Sequence, residues 1–288
     1  MKTKDHLRRL LALFSALLLT LAGCGTIDPV PTPGARGPFE GLEVTIFDAG
    51  KADAILLTTP NSAVLIDCGK KDFGRTILDE LAARGIERID VLILSHFDKD
   101  HVGGAAKLLG GIEVARVLQN AFPGSSSEYR KYLRVLAEAG IEPETVRETL
   151  SFELDGVVYT VEPPRRERYD SDESNNASLI VTAVHGDNRL VFMGDAETAR
   201  IAEYLSASPP PCGFLKVPHH GQKEKLTDAL LAALRPQYAV ITCSAAEPEA
   251  ASTAELLAAA GTETFLTRLG AVRVLSDGVT LTAEYIDR

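Results

Sequence analysis

From residue 42 onward, apolar residues cluster in short β-prone runs separated by polar and turn-forming residues, a pattern typical of β-strands. Gly, Asp, Pro and Asn lie between the first runs, which predicts consecutive antiparallel strands there. The Asp155-Gly156 pair predicts the turn of a hairpin. The predicted strands are Leu42–Phe47, Ala54–Thr58, Ala63–Asp67, Ile89–Leu94, the hairpin Ser151–Val161, Leu179–Val184, Leu190–Met193, Phe214–Val217, Tyr238–Ile241, Glu263–Leu266, Val272–Leu275 and Thr280–Tyr285.

Apolar residues recur at helical spacing between these runs, for example at Ile77, Leu78 and Leu81. Residues 102–139 predict a helix–strand–helix unit, whereas the polar residues 162–177 predict a loop. Each half of the chain thus has strands first, then helices and strands. This order predicts an α/β fold of two sheets packed face to face with helices outside. The remaining predicted helices are Glu197–Leu205, Leu226–Leu234 and Ala254–Ala260.

The N-terminal segment has the pattern of an export signal. Basic residues between Lys2 and Arg9 precede an apolar run, Leu10–Ala22, that is short for a membrane span. Cys24 directly follows Leu-Ala-Gly, and this placement resembles a bacterial lipoprotein processing site. The resemblance implies cleavage before Cys24 and lipidation of its thiol; an uncleaved N-terminal anchor is the alternative. Both interpretations predict an extracytoplasmic, membrane-anchored protein.

Composition completes the domain division. Four prolines and four glycines between residues 25 and 41 are typical of a tether, so we predict a signal peptide at 1–23, a flexible tether at 24–41 and one folded domain at 42–288. The formal net charge of −10 argues against non-specific binding to duplex nucleic acid. Three cysteines remain after Cys24 and no two are spaced as CxxC, so we interpret them as small buried hydrophobic residues.

One stretch is dense in metal-ligand side chains. Four of the seven residues from Ser95 to His101 are histidine or aspartate, and they directly follow the apolar strand that ends at Leu94. A strand end is rigid, so alternate side chains can converge there, and histidine with aspartate suits zinc, manganese or iron. The ligand residues in this stretch are His96, Asp98, Asp100 and His101.

Three other strand ends carry similar side chains. Asp67 ends one predicted strand, Asp195 follows another, and the pair His219-His220 follows a third. A lone aspartate beside glycine is usually only a turn. Four such ends in one chain, one of them dense in ligands, instead favour a metal centre assembled from distant segments.

These residues resemble the metallo-β-lactamase superfamily, whose signature is HxHxDH with a downstream Asp and His. The variant HxDxDH is similar to the ComEC-like branch, named for a bacterial DNA-uptake protein, and the similarity spans nearly all of residues 42–285. The resemblance implies an αββα sandwich with the site at one edge. The supporting motifs are Phe47-Asp48-Ala49-Gly50 with Asp53, Leu65-Ile66-Asp67, Asn175-Asn176-Ala177-Ser178-Leu179, Gly194-Asp195 and His219-His220-Gly221.

The resemblance also implies roles for individual residues at two divalent metal ions, with zinc preferred over manganese. Asp98 and His219 are the implied catalytic residues, and His219 is either a ligand or the proton donor to the leaving group. The site would activate a water for attack on a phosphoryl or acyl centre. The implied assignments are Asp100, His101 and His220 at one metal, His96 and Asp98 at the other, Asp195 bridging both, and Asp67 orienting the 96–101 loop.

Two features depart from the branch pattern. The histidine that the wider superfamily has near Asn176–Leu179 is absent, and Gln222-Lys223-Glu224-Lys225 stands where the branch has a Ser/Thr-rich loop. Asn176 and Lys223 are the candidate substrate-binding residues, although asparagine pairs are common in plain loops. Lys216 and Lys223 either steer an anionic substrate or are solvated surface charges.

The leading functional hypothesis is an exported, metal-dependent phosphodiesterase or nuclease, acting on a phosphate ester such as single-stranded DNA or a cell-wall polymer. A phosphocholine esterase acting on cell-wall polymers is the enzymatic alternative. Hydrolysis of β-lactams is disfavoured because the third histidine is absent. A surface binding module with a degenerate metal site is the alternative from a different class.

Overall fold

Two large β-sheets form the centre of the molecule. The structure, a computed structural model, describes residues 39–170 and 173–286. The predicted signal peptide, the lipidated Cys24 and most of the predicted tether lie outside these residues. The strands are β1 (Leu42–Ile46), β2 (Ala54–Thr59), β3 (Ser62–Cys68), β4 (Arg88–Ile89), β5 (Val91–Leu94), β6 (Glu113–Val114), β7 (Val117–Gln119), β8 (Glu144–Thr145), β9 (Leu150–Leu154), β10 (Val157–Glu162), β11 (Ile180–His185), β12 (Asn188–Phe192), β13 (Phe214–Lys216), β14 (Tyr238–Ile241), β15 (Glu263–Leu266), β16 (Val272–Ser276) and β17 (Leu281–Tyr285).

Helices connect and cover the strands. Within the described ranges, no helix is long and apolar enough to cross a membrane. The α-helices are α1 (Phe73–Ala83), α2 (Ala105–Leu109), α3 (Ser127–Ala139), α4 (Glu173–Asn176), α5 (Thr198–Ser206), α6 (Thr227–Leu234) and α7 (Ala251–Ala259), and two short 3₁₀ turns lie at Pro218–Gly221 and Thr267–Leu269.

The longest of these helices, α3, shows how local sequence sets an element. Ser126 caps its first turn by accepting a hydrogen bond from the backbone N–H of Tyr129 at 3.0 Å. Tyr132 and Leu136, one turn apart, are its buried residues. Gly140 ends the helix in the left-handed conformation that glycine adopts without strain.

Each large sheet is half antiparallel and half parallel. The first sheet has the order β17-β16-β1-β2-β3-β5-β7-β8, and the second has the order β15-β14-β13-β12-β11-β10-β9. In the first sheet the pairs from β3 to β8 are parallel, and in the second those from β12 to β15 are parallel. The carboxyl ends of parallel neighbours lie at the same sheet edge, so side chains after β3 and β5, and after β12 and β13, can converge there.

Three apolar layers hold the sheets and helices together. Inner-facing residues of both sheets, such as Val64 of β3 and Val181 of β11, share one core. Alternate residues such as Leu65 face the other way and pack with helices α1 to α3, while Val191 packs with α5 to α7. The central strands therefore bury both of their faces, and the layers follow the order helix, sheet, sheet, helix.

This architecture confirms the predicted αββα sandwich. The Asp155-Gly156 turn is confirmed, with φ of 47° and 79° as a tight hairpin needs. Two expectations differ from the structure. The last strands, β16 and β17, join the first sheet beside β1, so the two sheets do not divide the chain into halves. The predicted loop at 162–177 contains α4, which was too short to show helical periodicity.

Candidate metal centre

The predicted ligands converge at the sheet edge where the parallel strands end. His96 lies two residues after β5, Asp195 three residues after β12, and the 3₁₀ turn containing His220 follows β13. Asp100, His101, Asp195 and His220 each offer one ligand atom, and these atoms lie within 4.8 Å of one another.

Distances within this group centre on Asp195. Its Oδ2 lies 3.3 Å from Nε2 of His101 and 3.1 Å from Nε2 of His220. The Oδ2 of Asp100 lies 3.3 Å from the same Nε2 of His220. The residues to which the resemblance assigned one metal, together with the implied bridging aspartate, are therefore adjacent in space.

His96 and Asp98 lie beside this group. The His96 ring is 4.0 Å from the His101 ring between centroids, and its Nε2 is 3.8 Å from Oδ2 of Asp98. Asp98 is partly exposed and accepts a hydrogen bond from Ser174 Oγ at 2.5 Å. This pair, which the resemblance assigned to the other metal, adjoins the first group without being part of its tight cluster.

Hydrogen bonds at Nδ1 orient all three imidazole rings so that Nε2 faces the site. His101 Nδ1 donates to Asp67 at 2.8 Å, and His220 Nδ1 donates to the backbone carbonyl of Thr242 at 3.1 Å. Ser95 Oγ gives its hydrogen to Asp67 at 2.6 Å, so it accepts from His96 Nδ1 at 3.1 Å. With the proton on Nδ1, the lone pair of each neutral ring lies on Nε2 and faces the site.

The three Nε2 atoms give the test of whether a metal fits. In His96, His101 and His220 they are buried and form no well-aligned hydrogen bond, although those of His101 and His220 lie 3.3 and 3.1 Å from Oδ2 of Asp195. Oδ1 of Asp195 is also buried without a hydrogen-bond partner. A buried polar atom left unpaired costs about 1–3 kcal/mol. Imidazole nitrogens and carboxylate oxygens are also the donors that divalent cations such as zinc take. The residues present fit divalent metal binding.

The electrostatics favour a cation over an empty site. Burial, helped by His101, lowers the pKa of His96 to about 4, so this ring is neutral at pH 7. Burial alone would raise the pKa of Asp195, but the facing His220 and His101 hold it well below its ordinary value. Against burial, Asp195 raises the pKa of both His101 and His220. The carboxylates thus attract positive charge to the same Nε2 atoms, and a metal competes there with protons.

Asp67 lies behind the ligands, where the resemblance placed it. Its carboxylate accepts from the backbone N–H of Ser95 at 2.8 Å as well as from the Ser95 hydroxyl and His101. Its own φ is 58°, an uncommon backbone conformation for a residue other than glycine. These contacts orient both the start and the end of the 96–101 loop.

Lys216 is buried, so the prediction that it steers an anionic substrate or is a solvated surface charge was wrong. The side chain is completely buried, with Nζ 2.5 Å from Oδ2 of Asp53 and 3.0 Å from the carbonyl oxygen of Gly194, to which it donates. Asp53 also accepts from Thr242 Oγ1 at 2.7 Å. A lysine between Leu215 and Val217, inside an apolar strand, was the signal that could have predicted this burial.

His219 points to a different group from His220. Its Nδ1 lies 3.5 Å from Glu197 and 3.4 Å from Glu224, and the three side chains form a separate cluster of candidate ligands. His219 and His220 both have positive φ, near 50°, which turns the neighbouring rings to different sides. Sequence reasoning did not identify Glu197 or Glu224 as partners of this histidine.

Neither of the two predicted substrate-binding residues lines the cavity that opens at the ligands. Asn176 is buried, and its Oδ1 accepts from the backbone N–H of Arg200 in α5 at 3.0 Å. Lys223 is exposed and forms an ion pair with Asp228. The cysteines in the described residues, Cys68 among them, are buried and free, as interpreted from the sequence.

A cavity of about 920 Å³, here called the site cavity, opens at the ligands. His96, Asp98 and Asp100 line one side of it, and the chain from Phe122 into the first turns of α3 lines another. Serine hydroxyls and Arg130 lie on that second side. The cavity therefore combines metal ligands with groups that can hydrogen-bond an anionic substrate.

Comparisons with known proteins agree with this geometry. The sequence matches the Metallo-beta-lactamase superfamily over residues 47–244. ComE operon protein 3 of Bacillus subtilis is 28% identical over 219 residues, which are 69% of this chain and 28% of that protein. Competence protein ComA of Neisseria gonorrhoeae is 28% identical, covering 77% and 29%. Recombination protein 2 of Haemophilus influenzae is 27% identical, covering 69% and 24%.

The matches confirm the resemblance to the superfamily and to its ComEC-like branch. This chain spans less than a third of the length of those relatives. Among solved structures, a mutant of the CmlA beta-hydroxylase superposes with a TM-score of 0.55 at 13% identity, covering 84% of this chain and 55% of that chain. The metallo-beta-lactamase fold protein YhfI from Bacillus subtilis gives 0.50 at 11% identity, covering 78% and 96%. At these identities the two structures show a shared fold.

Proposed function

The chain belongs to the metallo-β-lactamase superfamily, and on that premise we propose that it is a metal-dependent phosphodiesterase that cleaves nucleic acid. The observation that carries the proposal is the set of three buried Nε2 atoms that form no well-aligned hydrogen bond and lie around the carboxylates of Asp195 and Asp100. Zinc is the proposed metal because imidazole and carboxylate donors suit it, and manganese is the second choice.

Asp100, His101 and His220 would hold one metal, His96 and Asp98 the other, and Asp195 would lie between them. When bound, two divalent ions supply Lewis acidity and a water of lowered pKa, the chemistry that phosphodiester hydrolysis requires. The protein keeps these ligands in place through the hydrogen bonds of Asp67, Ser95 and Thr242.

The other side of the site cavity suits a phosphate ester. Arg130 and the hydroxyls of Ser125 to Ser127 line it, and these groups can donate hydrogen bonds to phosphate oxygens. The N-terminus of α3 lies there as well, and the positive end of a helix dipole favours negative charge. His219 is the proposed proton donor to the leaving group, with its Nδ1 held between Glu197 and Glu224.

The relatives narrow the proposed substrate. One is named a competence protein and another a recombination protein, and these names connect them with nucleic acid. Because this chain covers less than a third of each, their cellular roles are not transferred. Export and anchoring through lipidated Cys24 remain part of the proposal, supported by the signal-like pattern of residues 1–23.

The test is metal content together with activity. We expect about two metal ions per chain by mass spectrometry after purification without chelators, and metal-dependent cleavage of bis-p-nitrophenyl phosphate and single-stranded DNA. Faster turnover of p-nitrophenylphosphorylcholine than of either substrate would favour the phosphocholine esterase instead. A chain that stays metal-free when supplied with zinc or manganese would be a binding protein on this fold, and the proposal would be wrong.

A further inference from the structure

A second cavity, of about 720 Å³, lies between helices α1, α2 and α3 and is lined by exposed cations. We call it the basic groove, and it is defined by Lys71, Arg75, Lys107, Lys131 and Arg134. The acidic residues Asp72 and Glu138 also line it. Five cations against two carboxylates give the groove a positive character on a chain whose net charge is −10.

The five cations have no ionic partners within the described residues. Some other basic side chains of this protein do: Arg84 pairs with Glu43, Arg116 with Glu144, and Arg273 with Glu284. What distinguishes these five cations is that they line one cavity together. A solvated charged face usually mixes both signs, whereas here cations from three helices face one concave space unpaired. Clustered, unpaired cations in a cleft concentrate a positive potential that attracts an anionic ligand.

Helix α3 connects the basic groove to the site cavity. Arg130, in its second turn, lines the site cavity, and the adjacent Lys131 lines the basic groove. Arg134 follows Lys131 three residues further along, a rise of about 4.5 Å. The loop before α2 makes the same connection, because Lys99 lines the site cavity and Gly103 lines the basic groove. Two elements that line the site cavity, α3 and the loop before α2, thus also line the basic groove.

Two neighbouring cavities lined by the same two elements suit a linear polyanion better than a small ester. A monomeric phosphate ester would occupy the site cavity alone, whereas a chain of phosphodiesters can lie in both cavities at once. Phe122, half-buried at the site cavity, offers a ring face on which a base can stack. The acidic remainder of the surface disfavours a duplex, which needs cations spread over both strands.

We propose that the basic groove binds the sugar–phosphate backbone of a single-stranded nucleic acid whose scissile phosphodiester lies in the site cavity. The inference rests on the proposed function for the cleavage step, but binding in the groove is measurable without it.

The test uses fluorescence anisotropy of a labelled oligo-dT of about 20 nucleotides with the purified chain in chelator, so that no cleavage occurs. Arg134→Glu and the double variant Lys131→Glu/Arg134→Glu are compared with Arg147→Glu. The last is a matched control, because Arg147 is exposed and lines neither cavity. Affinity is measured from about 50 to 200 mM salt, since each phosphate contact contributes about −0.7 to the slope of log K against log salt.

We expect the double variant to bind at least about tenfold more weakly than the unaltered chain. The salt slope should become shallower by about 0.7, the value of one phosphate contact, for each cation removed. Arg147→Glu should bind as the unaltered chain does. Equal weakening in Arg134→Glu and Arg147→Glu, or no binding by the unaltered chain, would overturn the proposal. Tighter binding of a polyglycerol phosphate polymer than of oligo-dT would reassign the groove to cell-wall polymers. Hydrolysis of bis-p-nitrophenyl phosphate by the unaltered chain reports separately on the proposed function.

Discussion

Replacing Lys216 by methionine tests the buried charge pair behind the metal centre. Methionine keeps the length and most of the volume of the lysine stem but removes the cation. In the structure this cation lies 2.5 Å from Asp53 and donates to the Gly194 carbonyl at 3.0 Å, and both Lys216 and Asp53 are at most 1% exposed. The variant therefore leaves a buried carboxylate without its nearest counter-charge, with only His101 and His220 beside it.

The expected cost is large. Breaking a buried ion pair by removing one partner destabilises a protein by about 3–5 kcal/mol. For a chain of this size, each kcal/mol lowers the melting temperature by about 2–4 °C, so we expect a loss of about 6–20 °C. The double variant Lys216→Met/Asp53→Asn should recover much of this loss, because the remaining polar group is neutral and Thr242 can still donate to it.

The pKa of Asp53 determines the pH range over which the Lys216–Asp53 pair stabilises the fold. Burial would raise this pKa, but the charges of Lys216, His101 and His220 together outweigh burial and hold it below its ordinary value. A carboxyl with a lowered pKa stabilises the fold above its unfolded-state value of about 3.9, and this contribution is lost as the pH falls through the folded pKa. The difference between the wild type and Lys216→Met should therefore narrow below about pH 4.

The assay is calorimetric melting at pH 7 and at several lower pH values. Lys225→Met is the matched control: this lysine is exposed and makes no ion pair among the described residues, so we expect a change within about 0.5 kcal/mol. The reasoning would be refuted if Lys216→Met melted within about 1 kcal/mol of the wild type. A double variant no more stable than the single one would refute it equally.

Other substitutions test the site directly. Asp195→Ala removes the carboxylate shared by His101 and His220, so turnover of bis-p-nitrophenyl phosphate should fall at least about 10³-fold with an unchanged circular dichroism spectrum; unaltered turnover would contradict the assigned site. Ser95→Ala removes both the donor to Asp67 and the acceptor for His96, and metal titration should show about 10- to 100-fold weaker binding, whereas equal affinity would show that these hydrogen bonds do not orient the ligands. Gly194→Ala places a Cβ 3.0 Å from Ser178 at a positive φ, so melting should show at least about 1 kcal/mol lost; no loss would mean that the turn adapts. Chelation should lower the melting temperature of the metal-loaded chain, because bound metal at a hundredfold excess over its Kd stabilises the folded state by about 2.7 kcal/mol. Identical melting temperatures with and without chelator would argue against a bound metal.

Much of the fold and the ligand set followed from local sequence. Short apolar runs bounded by turn residues predicted the principal strands, because a strand inside a layered fold buries apolar side chains on both of its faces. Asp155-Gly156 predicted its own turn, because few residue pairs accept two positive φ angles. The dense ligands between His96 and His101 predicted a metal site, because a strand end holds alternate side chains rigidly. All of these are properties of neighbouring residues, which a sequence displays directly.

What the sequence left open depended on contacts between distant segments. The pairing of β16 with β1 joins residues more than 200 positions apart, and no local pattern specifies which sheet a terminal strand completes. Lys216 looked like a surface charge because its partner, Asp53, is distant in sequence and lies directly before β2 of the other sheet. His219 and His220 are adjacent in sequence, yet two positive φ angles direct one to Glu197 and Glu224 and the other to Asp195. The sequence by itself determined which chemical groups this protein has and which strand ends carry them. The reason is that short apolar runs and turn-forming residues set the local backbone conformation over only a few positions. Only the tertiary structure decided which of those groups meet, because burial and charge pairing depend on the packing of whole sheets and helices.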